Sequence, residues 1–428
     1  MERGRRRVIL TGLALILLAV LGAPLFAVIA ASALIGFARS GVDPMIVPME
    51  MYRIAETPVL LAIPLFTFAG YLVGESEAPR RLVRVTNALF GWLPGGLAVV
   101  ALVACALFTA FTGASGVTIV ALGALLYPAL RDAGYSENFN LGLITTSGSL
   151  GLLFAPSLPL ILYGIVAEEP IDKLFVAGIM PGVLMLALLA LWSFRAGREA
   201  RATADLSTSF SVTEAAASVR EAIWEIPLPI IVLGGVYSGI FAVSEAAAVT
   251  VVYVFVVEVL IYREISWQRL PGIMRESMVM VGGILIILGA SLASTNYMID
   301  AAVPTKLFDM VTAHVSSKLT FLILLNLFLL VLGTMLDIFS ALVIVVPLIL
   351  PLAVGFGVDP IHLGIIFLAN MQIGYCTPPV GMNLFIASYR FDKPVVLLYR
   401  AALPFLAILL ICVLAITYLP WLSLAFVR

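Results

Sequence analysis

Two sets of oxygen-bearing residues interrupt apolar runs in this 428-residue chain, and each set is mixed with glycine or proline. The first holds Thr112, Ser115, Thr145, Ser147 and Ser149 beside Gly113, Gly116, Gly148 and Gly151. The second holds Thr334, Asp337, Asn370, Gln372 and Thr377 beside Gly333, Gly374 and Gly381. Glycine and proline in such places open a helix and free its carbonyls, and nearby hydroxyls and amides complete an oxygen cage suited to a small hard cation. Half-helices that restart beyond a break aim N–H groups and partial positive charge at the gap, which suits a carboxylate. One cation is therefore expected at Thr112, Gly113, Ser115, Ser147 and Gly148, and a second at Gly333, Thr334, Asp337, Thr377 and Pro378. An anion between the two tips is expected to meet Ser115, Gly116, Ser149, Pro156, Asn370, Thr377, Pro379 and Asn383. Asp337 is the sharpest single residue, because an acid between two apolar runs is costly in hydrocarbon. It can neutralise Na+ or carry a proton. Two plainer roles compete: small residues close-pack membrane helices, and Asp337 caps the half-helix that follows it.

The rest of the chain must place these residues inside a membrane. Hydrophobic residues make up 62% and charged residues 11%, more apolar surface than a soluble chain of this length can hide. Many windows of about 20 residues lack any charge, the length of a helix that crosses a bilayer. Net charge is −1, which argues against nucleic acid as a partner. Cys105, Cys376 and Cys412 lie in apolar runs and read as small buried hydrophobes. His314 and His362 share no metal-ligand spacing, and no nucleotide loop, zinc motif or nucleophile elbow is present, so neither nucleotide, haem nor zinc is expected. An intramembrane enzyme would need a paired catalytic set, which is absent from these residues, so no catalytic residue is assigned. Arg3, Arg5, Arg6 and Arg7 precede an apolar run over 8–38 that is about twice the core of a signal peptide, so an uncleaved first span is expected. Residues 78–90 carry Arg80, Arg81 and Arg84 and read as an interfacial helix.

The two polar sets also belong to an internal repeat. A shift of 222 positions carries Leu107 onto Leu329, Thr112 onto Thr334, Gly142 onto Gly364 and Pro156 onto Pro378 without a gap. Segments 95–130 and 319–354 are each split near the middle, and read either as broken helices or as re-entrant hairpins. The positive-inside rule favours hairpins with a cytoplasmic amino terminus. That arrangement leaves only Arg39, Arg53, Lys173, Lys306, Lys318 and Arg428 outside, among 24 lysines and arginines. Five crossings then separate the hairpins, so the second enters from the opposite face. The expected fold is an all-α polytopic membrane protein built of inverted repeats, each with a re-entrant hairpin and a broken transmembrane helix. Its expected units are 1–92 (scaffold helices and interfacial arm), 93–167 (first hairpin and broken helix), 168–318 (scaffold helices with a cytoplasmic loop, 195–225), 319–389 (second hairpin and broken helix) and 390–428 (a last scaffold helix). A carrier is expected, with a passive channel or a proton-coupled carrier as alternatives.

Several motifs resemble one family. They are Trp92-Leu93-Pro94-Gly95-Gly96-Leu97-Ala98, Thr112-Gly113-Ala114-Ser115, Ala133-Gly134-Tyr135, the stretch from Pro156 to Gly164, Glu245-Ala246-Ala247-Ala248-Val249, and the stretch from Thr377 to Phe385. Together they resemble the large membrane subunit of tripartite ATP-independent periplasmic (TRAP) transporters, and the likeness covers nearly the whole chain. The resemblance implies an elevator-type carrier of the inner membrane, driven by Na+ as coupling ion and not by ATP. It also implies a small four-helix membrane subunit and a soluble periplasmic substrate-binding protein as partners, and a small organic acid as substrate.

Overall fold

The computed structural model describes residues 10–427 other than 16, 19, 20, 54, 55, 94 and 204–210. All regular elements among the described residues are helical. Six helices are long and apolar enough to cross a bilayer: Pro58–Glu75, Ile171–Gly197, Val243–Ile261, Leu270–Asp300, Ile338–Gly355 and Val395–Tyr418. A bent pair, Glu137–Leu153 with Leu158–Ala167, makes a seventh candidate, turned by 44° at its break. The expected continuous run over 8–38 is interrupted: helical residues 10–15 and 17–18 are followed by a turn in which Gly22 takes φ 90°, and a second helix, Leu25–Ser40, begins after Pro24. Arg3, Arg5, Arg6 and Arg7 lie outside the described residues, as does Pro94 of the tryptophan-led motif.

Both split segments are hairpins. The first joins Gly96–Thr112 to Ser115–Asp132 through Gly113, whose φ of 66° is the left-handed conformation that glycine adopts without penalty. Near its tip, Thr109 Oγ1 and Thr118 Oγ1 lie 2.6 Å apart, tying one arm to the other. The second joins Lys318–Gly333 to Ile338–Gly355. Its open ends meet, with Lys318 Nζ donating to Gly357 O at 2.5 Å and Phe321 stacked on Phe356 at 4.5 Å. Each hairpin is followed by a broken helix. One runs Glu137–Ser147, a short turn at Leu150–Leu153, then Leu158–Ala167; the other runs Pro360–Gly374, then Met382–Phe391. Cis peptide bonds at Ala155–Pro156 and Pro378–Pro379 occupy the two breaks. The shift of 222 carries the start of the first hairpin, Gly96, onto Lys318, and the start of its second arm, Ser115, onto Asp337.

The copies interlock. The first arm of each hairpin packs on its own broken helix, but the second arm packs on the other copy's: Ser115–Asp132 on Met382–Phe391, and Ile338–Gly355 on Leu158–Ala167. Missing side chains make the close approaches. A Cβ on Gly374 would stand 2.5 Å from Gly333 Cα. A second group holds Leu25–Ser40, Ala62–Glu75, Val243–Phe255 and Leu270–Asp300, which pack on one another. The amphipathic Ala78–Phe90 helix is pinned to this group by Arg81, which is 6% exposed and bonds Glu225, Glu258 and Glu264 while facing the Tyr262 ring at 4.1 Å. Ile171–Thr203 and Val395–Tyr418 pack chiefly against the hairpins and broken helices.

Two outcomes follow from this architecture. The native cysteines are all buried, so Asp132→Cys and Ser316→Cys can be probed singly with an impermeant maleimide. Asp132→Cys should react only from the cytoplasmic face and Ser316→Cys only from the other; reaction of both from one face would remove the inversion. Gly374→Ala must push two backbones apart and should lower stability by ~1–3 kcal/mol, seen as a lower Tm in detergent. Gly234→Ala, with nothing within 4 Å of its Cβ, should leave the Tm unchanged or slightly higher.

Candidate functional site

The first hairpin tip is seated where the two breaks come together. Ser115 Oγ donates to Asn383 Oδ1 at 2.7 Å, which joins the first copy's tip to the second copy's broken helix. The Asn383 amide in turn donates to Thr145 O at 3.4 Å, and Cys376 Sγ reaches the same carbonyl at 3.5 Å. Thr109 Oγ1 donates to Gly148 O at 2.8 Å. A Cβ on Gly148 would lie 3.3 Å from Ser115 O, so the break of the first helix and the hairpin tip touch through backbone. Gly113 abuts the Leu158 side chain and Gly116 the Ile386 side chain. Thr112 Oγ1 and Ser157 Oγ, both fully buried, have no hydrogen-bond partner. These hydroxyls belong to the chain neighbours of Gly113 and Leu158, the two residues in contact.

The second hairpin tip is seated on its own break. Gly381 N donates to Thr334 O at 3.2 Å, and the buried Tyr375 hydroxyl accepts from Ile338 N, the first N–H of the second arm. Asp337 caps that arm: its Oδ1 accepts from Phe339 N and Ser340 N, each at 3.0 Å. The capping reading of Asp337 therefore holds. The cap uses Oδ1 alone, and the side chain is half-buried, facing the tip. Thr334 and Thr377 donate their hydroxyls back to Val331 O and Ile373 O, which leaves their oxygen lone pairs free to accept.

Of the residues singled out from the sequence, Thr112, Gly113, Ser115, Gly148 and Asn383 are brought into one cluster. Gly333, Thr334, Asp337 and Thr377 are brought into a second. Ser147 and Ser149 are buried, with their hydroxyls turned to Ile144 O and Thr146 O of their own helix. Pro156 lies buried in the first break; Pro378 and Pro379 are exposed in the second, where Pro379 O accepts from Tyr399. Asn370 is placed elsewhere. Its amide donates to Asn326 Oδ1 at 2.7 Å on the first arm of the second hairpin, where Thr417 also donates. Four participants were missed: Thr109, Thr118, Tyr375 and Ser157. Thr109 and Thr118 stand three residues before Thr112 and three after Ser115, a flanking pair that the sequence does display. Tyr375 gave no such signal, since an aromatic next to a break reads as packing. Cys376, expected to be only a small buried hydrophobe, lies among these polar groups.

Comparison with known proteins agrees with this geometry. Residues 12–422 match the family model described as "Tripartite ATP-independent periplasmic transporter, DctM component". The chain is 36% identical over 377 residues to the C4-dicarboxylate TRAP transporter large permease protein DctM of Pseudomonas aeruginosa, covering 88% of each chain. It is 33% identical to the isethionate TRAP transporter permease protein DctMQ of Oleidesulfovibrio alaskensis, covering 84% of this chain and 57% of that one. Among solved structures, the YdaH transporter of Alcanivorax borkumensis superposes with a TM-score of 0.60 at 15% identity, over 89% of this chain and 88% of that one, a likeness of fold alone. With two hairpins, two broken helices and a match that runs almost end to end, this chain belongs to the DctM family, the large permease component of TRAP transporters.

Proposed function

We propose that this permease carries a small organic anion inward together with Na+, by an elevator movement of the hairpin body against the second helix group. The observation that carries the reading is the Ser115–Asn383–Thr145 junction, where a tip of one copy and both breaks meet deep in the chain. Orphaned buried hydroxyls support a cation there. Leaving a buried polar atom unpaired costs ~1–3 kcal/mol, and Thr112 and Ser157 offer two such oxygens beside opened backbone. The first cation would be held by Thr112, Gly113, Ser115 and Gly148, with Ser157 added. The second would be held by Gly333, Thr334, Asp337, Thr377 and Pro378. The anion would lie between the tips, near Ser115, Gly116, Ser149 and Asn383. Ile171–Thr203 and Val395–Tyr418 would travel with the body on which they pack.

The relatives favour an anion: one is named for C4-dicarboxylates and another for isethionate. A small membrane subunit and a soluble periplasmic binding protein complete the assembly. The DctMQ relative is long enough to include a further membrane component, since this chain covers 57% of it. The permease would sit in the inner membrane with its amino terminus in the cytoplasm.

The test is uptake of a C4-dicarboxylate into proteoliposomes that contain the permease with its membrane partner, supplied by the binding protein outside. Uptake should require an inward Na+ gradient; undiminished uptake in Na+-free buffer, or uptake that follows a proton gradient instead, would reject the coupling. Asp337→Asn separates charge from cap, because Asn caps a helix as well as Asp does. The variant should keep its Tm but need about tenfold more Na+ for half-maximal uptake, a loss of ~1.4 kcal/mol. An unchanged Na+ requirement would leave Asp337 as a cap alone.

A further inference from the structure

A partly open apolar cavity of about 290 Å³ lies outside the candidate site. One wall is the first hairpin, through Val103, Leu107 and Phe111; the facing wall is the Ala78–Phe90 helix with Trp224 and Val257 of the second group. The cavity is about twice the ~150 Å³ apolar void that stays dry and takes up benzene, so it holds on the order of a dozen carbon atoms. Its lining has almost no hydrogen-bonding capacity to offer water. Thr86 Oγ1 is turned to Leu82 O, the Tyr253 hydroxyl is given to Trp224 O, and Glu225 and Glu258 are held by Arg81.

What could fill it is limited by where it opens. Leu89, Leu107 and Ile226 line the cavity and are also 38–41% exposed, so the cavity continues onto the apolar outer surface of the permease. In a membrane that surface faces lipid tails. The rim also carries Trp224, and Tyr253 bonds to it; both are residue types that settle at the headgroup level. We propose that this cavity is the seat of one acyl chain of a bilayer phospholipid, inserted between the interfacial helix and the first hairpin. A tail gains no hydrophobic free energy on leaving other tails, so the gain is dispersion contact with walls that an empty void would forfeit. The seat itself depends only on the membrane location. Its consequence rests on the elevator reading: a tail wedged between the hairpin and the second group must shift whenever the hairpin moves.

The experiment uses the full chain in proteoliposomes containing phosphatidylethanolamine with a photoactivatable diazirine near the tail end, followed by peptide mapping. Adducts are expected on the 85–90, 103–111 and 253–257 segments. Val103→Phe and Val85→Phe, which fill the cavity from opposite walls, should each cut adducts on the facing wall at least fivefold. Adducts on the outward side of Val395–Tyr418 should stay unchanged. A retained Tm shows that each variant is folded, and two variants guard against the failure of one. Absence of adducts on the three segments, or adducts indifferent to both variants, would overturn the proposal. Adducts formed by a photoactivatable free fatty acid but not by the phospholipid would also overturn it. Labelling reads occupancy without transport, so a failure of Na+ coupling would leave this result standing, and the reverse.

Discussion

A bilayer interior has no water with which to satisfy an open backbone, and most of this structure follows from that constraint. The chain leaves helix four times within its membrane-embedded part, at the two tips and the two breaks. At each opening, a group from another element takes up freed polar atoms. Gly148 O receives the Thr109 hydroxyl, Thr145 O receives the Asn383 amide, Thr334 O receives Gly381 N, and Ile338 N finds the Tyr375 hydroxyl. Several kcal/mol ride on each such group in lipid. Tips and breaks therefore cannot be stable apart, and the crossed packing of second arms on the other copy's helix builds that mutual dependence into one body.

The two copies solve the same problem with different chemistry. At the start of the second arm, the first copy places Ser115 and the second copy Asp337, which the 222-residue shift superimposes. Ser115 spends its hydroxyl proton on Asn383 across the copies. Asp337 gives Oδ1 to its own helix as a cap, at a half-buried tip. The capped arm is also the one whose N-terminal N–H groups are best satisfied, so the helix end there offers less to an anion than the uncapped Ser115 arm, where Ala114 supplies no side-chain acceptor. The tips therefore present different groups: at Asp337 a carboxylate-bearing side chain that caps its own helix, and at the amino end of Ser115–Asp132 N–H groups with no side-chain cap.

Much of this was legible in the sequence because apolar length and broken periodicity are local signals. The splits at Gly113 and Gly333 and the breaks after Ser147 and Gly374 could be placed from glycine, proline and hydroxyl residues, and the arginine distribution then favoured hairpins over broken helices. The register of the repeat was legible because helix starts, unlike side chains, must be kept if the copies are to interlock. Partners across the fold were not legible. Nothing in the run around Asn370 shows that it faces Asn326 and not a tip, since both directions are polar minorities on one helix. The packing neighbours of Ile171–Thr203 and Val395–Tyr418 were not legible for a related reason: a uniformly apolar helix shows which segments cross but not what they cross beside. The turn at Gly22 was hidden inside an apolar run whose composition alone would carry a helix through.

Glycine sets the close approaches both inside the body and at its boundary with the second group. Within the body, backbone meets backbone, as at Gly333 against Gly374, and Gly364 takes in the Tyr163 ring. At the boundary, Ala62–Glu75 presents Gly70 and Gly74 to the first hairpin, with Gly70 directly against the Phe111 and Thr112 backbone. On the second copy's side, Ser291 donates to Val343 O at 2.6 Å. Small residues make a smooth face with few interdigitating knobs, the surface along which a rigid body moves most easily. The interfacial Ala78–Phe90 helix does not share that freedom. Removing one partner from a buried charge cluster costs ~3–5 kcal/mol, so Arg81 holds this helix to the second group. The chain then passes into the body through Gly91, Gly95 at φ 77° and Gly96. These glycines thus form the joint between a helix clamped by charge and a hairpin seated by its own backbone.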